Sequence, residues 1–263
     1  MADLEALLDD FAGECADLEQ LVAPLPPGEW TRATPASGWT IAHQIGHLAW
    51  TDEIATIAAT DADGFTRMVV EAGPKVLTFV DDAAEEAART PAPALLRRWR
   101  EGRVTLADAL LAVPAGVKLP WFGPPMSPAS MVTARVMETW AHGQDVADAL
   151  GAQREPTARL RNIAHIGVRT RNFAYTVRGT TPPAEEFRVE LTAPDGDIWA
   201  WGPADAAQRI SGPAQDFCLL VTQRRHRDDL ALEAIGPDAA DWLTIAQAFA
   251  GPAGTGRAAG QFV

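Results

Sequence analysis

The run from Thr40 to Ile57 constrains the fold most, because as a helix it is apolar on two sides. Ile41, Ile45 and Leu48 recur at helical spacing on one face, and His43, His47, Trp50 and Ile54 line another. A surface helix needs one apolar stripe, so a helix with two is a sandwiched one. Thr40 is placed to cap its start. The rest of the first half supplies the neighbours. Residues 3–22 carry Leu4, Leu7, Leu8, Phe11, Leu18 and Leu21 at near-helical spacing before P-L-P-P-G ends the pattern. Pro93 to Val113 repeats it with Leu95, Leu96, Trp99, Val104, Leu106, Leu110 and Leu111. A turn-rich loop, L-P-W-F-G-P-P-M-S-P, then leads to Ser127 as N-cap and Pro128 as first helical residue. That helix runs to about Leu150, with Gly151 as C-cap. Gly64 to Ala88 reads as a less regular segment. Residues 1–152 are therefore expected to form a helical bundle of at least four helices.

The second part has a different pattern. Residues 157–178 read as helical. F-R-V-E-L-T-A-P-D-G-D-I-W-A-W alternates on both sides of D-G, which is a hairpin signal. A helix is expected from about Pro213 to Arg224, a short strand in L-A-L-E-A-I-G, and a last helix over Ala239–Ala250. Residues 153–263 thus read as a smaller α+β domain, and the fold class is mainly α with α+β. The tail G-P-A-G-T-G-R-A-A-G is Gly-rich and expected to be loose.

The 263 residues are enough for one large or two small domains, and an apolar fraction of 47% supports a real core. A formal charge of -13 argues against a general binder of nucleic acid or anionic membrane, which relies on a basic surface. The two cysteines, Cys15 and Cys218, sit inside apolar helical patterns and are too few for a disulfide framework. They are expected as buried thiols in a reducing compartment. The acidic start M-A-D-L-E-A-L-L-D-D lacks the basic region of a signal peptide. No apolar run approaches the ~20 residues of a membrane span. A cytoplasmic protein is expected, acting on small molecules, with no pattern that fixes an oligomeric state.

Chemistry concentrates on two helices. Glu138, His142 and Asp145 fall on one helical face, opposite Val132, Val136, Trp140 and Val146. Taken alone, that pattern is more often a solvated stripe than a ligand set. His47, on the enclosed helix, reads alone as a satisfied core residue or as a ligand. Taken together, the two helices offer one carboxylate and two imidazoles that can converge on a divalent ion inside a bundle. Zinc takes such donors, and a catalytic site uses three protein ligands and keeps a position open. Iron, nickel and manganese accept the same set. Asp145, one turn beyond His142, either orients that imidazole or faces water. His43, one turn before His47, is either an extra ligand or a lining residue, and Trp50 lines the same side.

G-W-T-I-A-H-Q-I-G-H-L-A-W, then G-P-P-M-S, then E-T-W-A-H-G-Q-D-V-A-D-A-L resemble, in order and spacing, the mycothiol-dependent maleylpyruvate isomerase family. P-D-G-D-I-W-A-W-G-P and I-S-G-P-A-Q-D-F-C-L-L-V-T-Q-R-R resemble that family's C-terminal domain, so the resemblance spans nearly the whole chain. It implies a DinB-like four-helix bundle, of the thiol S-transferase-like group, followed by a smaller α+β domain. It implies a divalent metal, commonly zinc, held by His47, Glu138 and His142. It also implies a low-molecular-weight thiol, mycothiol in actinobacteria, bound to that metal as thiolate; on the helical spacing alone, His43, Trp50 and Asp145 are the residues expected beside it. A functional arginine is implied after the L-L-x-x-x-x-R helix, where Q-R-R-H-R offers Arg224 and Arg225. Arginine near a helix C-terminus also simply favours the dipole. The implied activity is S-transfer to, or cis–trans isomerisation of, a small electrophile. A hydrolase using metal-bound water and a non-enzymatic metal-binding protein are the competing readings.

Overall fold

The computed structural model describes residues 3–73 and 78–262. Residues 74–77 of the less regular segment lie outside the described residues. The chain divides into two compact units, Met1–Arg154 and Glu155–Val263.

The first unit is built around one helix. Its elements are α1 (Leu4–Val22), α2 (Ile41–Thr60), α3 (Ala62–Ala72), α4 (Phe79–Ala88), α5 (Ala92–Leu111) and α6 (Pro128–Leu150). Asp3 caps α1 through the amide of Glu5, and Ser127 caps α6 through the amide of Ser130. Gly151 ends α6 in the left-handed region at φ 64°. Helix α2 packs against α3, α4, α5 and α6, while α1 lies on α6 and α5. This accounts for its two apolar sides: Ile41, Ile45, Leu48, Ala49 and Ala55 are all fully buried. The segment expected to be irregular contains two helices, α3 and α4. The close fit of α4 on α2 rests on Gly46, where an added Cβ would stand 2.6 Å from Ala87 Cβ.

Buried ions tie the helices together. Arg135 of α6 donates to Asp52 of α2 at 2.9 Å, and both side chains are almost wholly buried. Burial pushes the Asp52 carboxyl up, against the pull of the adjacent Arg135 guanidinium. Arg100 and Arg103 of α5 share Glu19 of α1. Arg154 pairs with buried Glu14 of α1 and donates to the Trp140 carbonyl of α6 at 2.8 Å.

The second unit comprises α7 (Leu160–Arg169), α8 (Arg171–Thr176), β1 (Phe187–Thr192), β2 (Ile198–Trp201), β3 (Gln208–Pro213), α9 (Ala214–Val221), β4 (Glu233–Ile235) and α10 (Pro237–Ile245). The sheet order is β2-β1-β3-β4, with β1 parallel to β3 and the other pairs antiparallel. Phe187, Val189 and Leu191 point to the buried face, under α9 and α10. The hairpin turns over three residues rather than two. The Gly196 amide bonds the Ala193 carbonyl at 3.0 Å, and Gly196 takes φ 92°. Pro194 holds a negative φ, so a turn needing two positive φ values is closed to it. Strand β3 lies in a stretch for which no strand was expected. Helix α10 ends at Ile245, short of the expected Ala250, because the Ala248 amide leaves to pair with the Val221 carbonyl at 2.7 Å. The tail is tethered rather than loose. The Gly260 amide donates to Asp229 at 2.9 Å, and Phe262 lies under the Arg225 guanidinium at 4.0 Å.

Two substitutions test the packing of α2. Arg135→Met leaves Asp52 buried without its cation and is expected to cost about 3–5 kcal/mol in urea denaturation, with Asp52→Leu/Arg135→Met recovering most of the loss. Gly46→Ala gains helix propensity but strikes Ala87, for a net loss of about 1 kcal/mol. A double-mutant cycle with Ala87→Gly should return a favourable coupling.

Candidate metal centre

Three side chains from two helices converge in the first unit. His47 comes from α2, and Glu138 and His142 come from successive turns of α6. One ligand atom from each lies within 4.8 Å of the others. Glu138 Oε2 stands 3.3 Å from His47 Nε2 and 3.1 Å from His142 Nε2, and the two imidazole centroids are 4.5 Å apart. The Glu138–His142 stripe does not face bulk water: the side chains of His47, His142 and Glu138 are 9%, 12% and 23% exposed.

The tautomer of His142 follows from its surroundings. Its Nδ1 is 2.5 Å from Gln44 Oε1, which can only accept, so Nδ1 carries the proton. Gln44 is itself fixed: its Nε2 donates to Thr34 Oγ1 at 2.8 Å, and that hydroxyl donates to the Trp39 carbonyl at 2.9 Å. The remaining nitrogen, Nε2, then presents a lone pair to the Glu138 carboxylate. Two acceptors 3.1 Å apart are held together by a proton or a cation shared between them, and a divalent ion could serve as that cation. Burial draws the Glu138 carboxyl up, yet the two imidazoles against it, His142 and His47, outweigh that and hold the group well below the usual carboxylate range. Glu138 is therefore available as a charged ligand. Trp39 stacks on His142 at 5.8 Å and approaches His47 at 5.4 Å, while Trp50 reaches His47 at 6.3 Å.

His43 is engaged elsewhere. Its Nδ1 accepts from the Thr40 amide at 3.2 Å in a capping box, and its Nε2 meets Glu85 of α4 at 2.9 Å. With both nitrogens used it locks the start of α2 to α4, and it stands outside the three converging ligands. Glu85 is held below its ordinary range by the hydrogen bonds from His43 and Arg89. Asp145 lies fully buried one turn beyond His142, and the acceptor on His142 Nδ1 is Gln44. Arg224 and Arg225 belong to the second unit, just after α9. There the Gln223 amide bonds the Leu220 carbonyl and the Arg224 amide bonds that of Leu219, a Schellman end with Gln223 at φ 59°. Arg224 donates to the Thr222 carbonyl at 2.6 Å, and Arg225 stacks on Phe262.

Gln44 and Trp39 were not singled out in the sequence, although Gln44 left a signal. It falls between Ile41, Ile45 and Leu48 on the apolar stripe of α2, and a polar residue there implies a buried partner.

The sequence profile for the mycothiol maleylpyruvate isomerase N-terminal domain matches residues 11–147. The chain belongs to that family. It is an enzyme family, and its N-terminal domain profile covers the bundle that carries all three converging ligands. A second profile, for wyosine base formation, matches residues 183–234. Proteins of Mycobacterium tuberculosis strains CDC 1551 / Oshkosh and ATCC 25618 / H37Rv, both named as uncharacterized, are 59% identical over 257 residues, covering 98% of this chain and all of theirs. The crystal structure of the mycothiol-dependent maleylpyruvate isomerase shares the fold at TM-score 0.59 and 17% identity, over 84% of this chain and 90% of that one. A structure of its histidine-to-alanine mutant aligns at TM-score 0.61 and 16% identity, over 90% and 95%. Among the described residues no helix is long and apolar enough to cross a membrane.

Removal of the Gln44 acceptor is expected to weaken zinc affinity about 10–100-fold. Competition with a chromogenic chelator on Gln44→Leu, with Gln44→Glu as the variant that keeps an acceptor, reads the effect. Equal affinity in all three proteins would remove Gln44 from the orientation of His142.

Proposed function

We propose that the chain is a metal-dependent enzyme that uses a low-molecular-weight thiol, mycothiol, as nucleophile toward a small electrophile. The observation that carries this is the convergence of His47 Nε2, His142 Nε2 and Glu138 Oε2, with the His142 proton held away from the site on Gln44. The donor set fits a divalent ion of the zinc class, two imidazole nitrogens and one carboxylate, with no further His, Cys, Asp or Glu grouped with it among the described residues. An ion held there would act as a Lewis acid that lowers the pKa of a coordinated thiol.

The remaining tasks fall to the protein. His47, Glu138 and His142 would hold the ion, and a three-residue donor set would let it take a thiol as well. The Gln44–Thr34–Trp39 chain keeps the His142 lone pair aimed inward. Trp39 and Trp50 cover the ligands with ring faces and limit water at the reacting sulfur. One of Arg224 and Arg225 is the cation proposed for an anionic group of a small molecule, the role that the family resemblance implies. Attack on a conjugated carbon followed by rotation and loss of the thiol gives isomerisation, and retention of the thiol gives transfer. The family and the shared fold support thiol dependence; the choice of electrophile rests on this chain's own site, because one fold serves many reactions.

Purified protein is expected to carry about one equivalent of divalent metal, and His47→Ala to lose it. Incubation with mycothiol and a panel of electrophiles, followed by mass spectrometry, should give a conjugate or an isomer. A folded, metal-free protein unaffected by His47→Ala, or the absence of any product across the panel, would overturn the reading.

A further inference from the structure

The metal ligands are continuous with an aromatic wall. From His47 the contacts run to Trp50 at 6.3 Å, then Phe79 at 5.1 Å, then Phe122 at 6.4 Å. Trp39 lies against both imidazoles, stacked on His142. The rings come from four separate segments: the loop before α2, α2 itself, the start of α4, and the loop between α5 and α6. Phe122 is fixed from behind by buried Phe65 at 5.3 Å and by Trp121 at 5.2 Å, yet it is 39% exposed. Trp39, Trp50 and Phe79 are only half-buried. Large rings gathered from four segments and left partly open beside a ligand set form a surface that a flat apolar group would complete.

The charges at this wall point the same way. Trp39 Nε1 donates to Asp81 at 3.2 Å, and Glu85 sits on His43 at 2.9 Å, so among the described residues carboxylates of α4 stand at this border. Arg89 is paired with Glu85 and is 73% exposed. Among the described residues, the arginines stacked on aromatic rings sit over Trp99, Trp140, Trp199, Phe187 and Phe262, none of which belongs to the wall. A carboxylate laid here would meet like charge, whereas a neutral ring would meet ring faces and edges.

We infer that Trp39, Trp50, Phe79 and Phe122 form an electrophile subsite for a neutral, aryl-bearing conjugated carbonyl compound. This rests on the thiol chemistry proposed above. With the ring on the wall, the thiol sulfur bonds to the β-carbon of the enone. The C=C π electrons pass through the carbonyl to its oxygen, and the proton lost by the thiol ends on the α-carbon, giving a thioether and consuming one thiol per enone.

The test separates binding from chemistry. Calorimetric titration of the metal-loaded full chain with 4-phenylbutan-2-one, which has no double bond to attack, is expected to show binding, with butan-2-one and maleate at least tenfold weaker. Phe122→Ala, at an exposed position, and Phe79→Leu should each weaken the aryl ketone about tenfold, with circular dichroism unchanged. Mycothiol conjugation to 4-phenylbut-3-en-2-one should outpace conjugation to maleate. Aryl binding without any conjugate keeps the subsite and overturns the thiol reading. Conjugation that favours maleate, or aryl affinity unmoved in both variants, overturns the subsite and leaves the thiol reading standing.

Discussion

One carboxylate oxygen shared by two imidazoles from different helices sets the tolerance for the whole bundle. Glu138 Oε2 reaches both Nε2 atoms only if α2 and α6 keep one rotation and one depth relative to each other. A slide of a single residue, about 1.5 Å with a turn of 100°, would carry His47 off the set. Apolar packing resists separation of the helices but is indifferent to small slides. The Asp52–Arg135 pair is not. It joins the same two helices five residues from His47 and three from Glu138, through a directional 2.9 Å bond in a buried setting. Such pairs are poor sources of net stability, since desolvation consumes most of the attraction. Its value here is registry: shifting either helix would strand a buried charge.

The same logic explains the second layer of polar contacts. Gln44 occupies a fully buried position on α2 and reaches His142 across the helix interface, while its amide nitrogen is held by Thr34. The site is thus oriented from α2 and from the loop that precedes it, and α6 supplies two ligands but not its own alignment. Trp39 closes this circuit, since its carbonyl receives the Thr34 hydroxyl and its ring covers His142. One loop therefore fixes the tautomer and shields the ligands.

Much of this was legible in the sequence, for physical reasons that differ by element. Helices α1, α2, α5 and α6 announced themselves through apolar spacing and through caps such as Ser127 and Gly151. Helices α3 and α4 are short, 11 and 10 residues, and bury only Phe65 in one and Ala84 and Ala87 in the other, too few positions for a periodic pattern to stand out. Strand β3 was hidden because the buried side of its alternation includes Gln208, a polar residue whose Oε1 receives the Ala239 amide in the first turn of α10 at 3.0 Å. The early end of α10 depends on a backbone bond to Val221, a partner far away in sequence. Pairings of that kind leave no local pattern.

The two histidines of α2 show where spacing stops being informative. His43 and His47 stand one turn apart on the same side of one helix, and each meets a carboxylate brought by another helix. What separates them is the second nitrogen. At His43 it is taken by the amide of the N-cap, so the ring becomes part of the helix start and of the α4 contact. At His47 no backbone end is near, and Nδ1 finds no hydrogen-bond partner among the described residues. The ring is positioned by Trp39 and Trp50 instead. An imidazole with one nitrogen aimed at a carboxylate and a second imidazole, and held by ring contacts rather than by caps, is left for a ligand's role. Distance from the helix start, and not residue type, divides the structural histidine from the one facing the site.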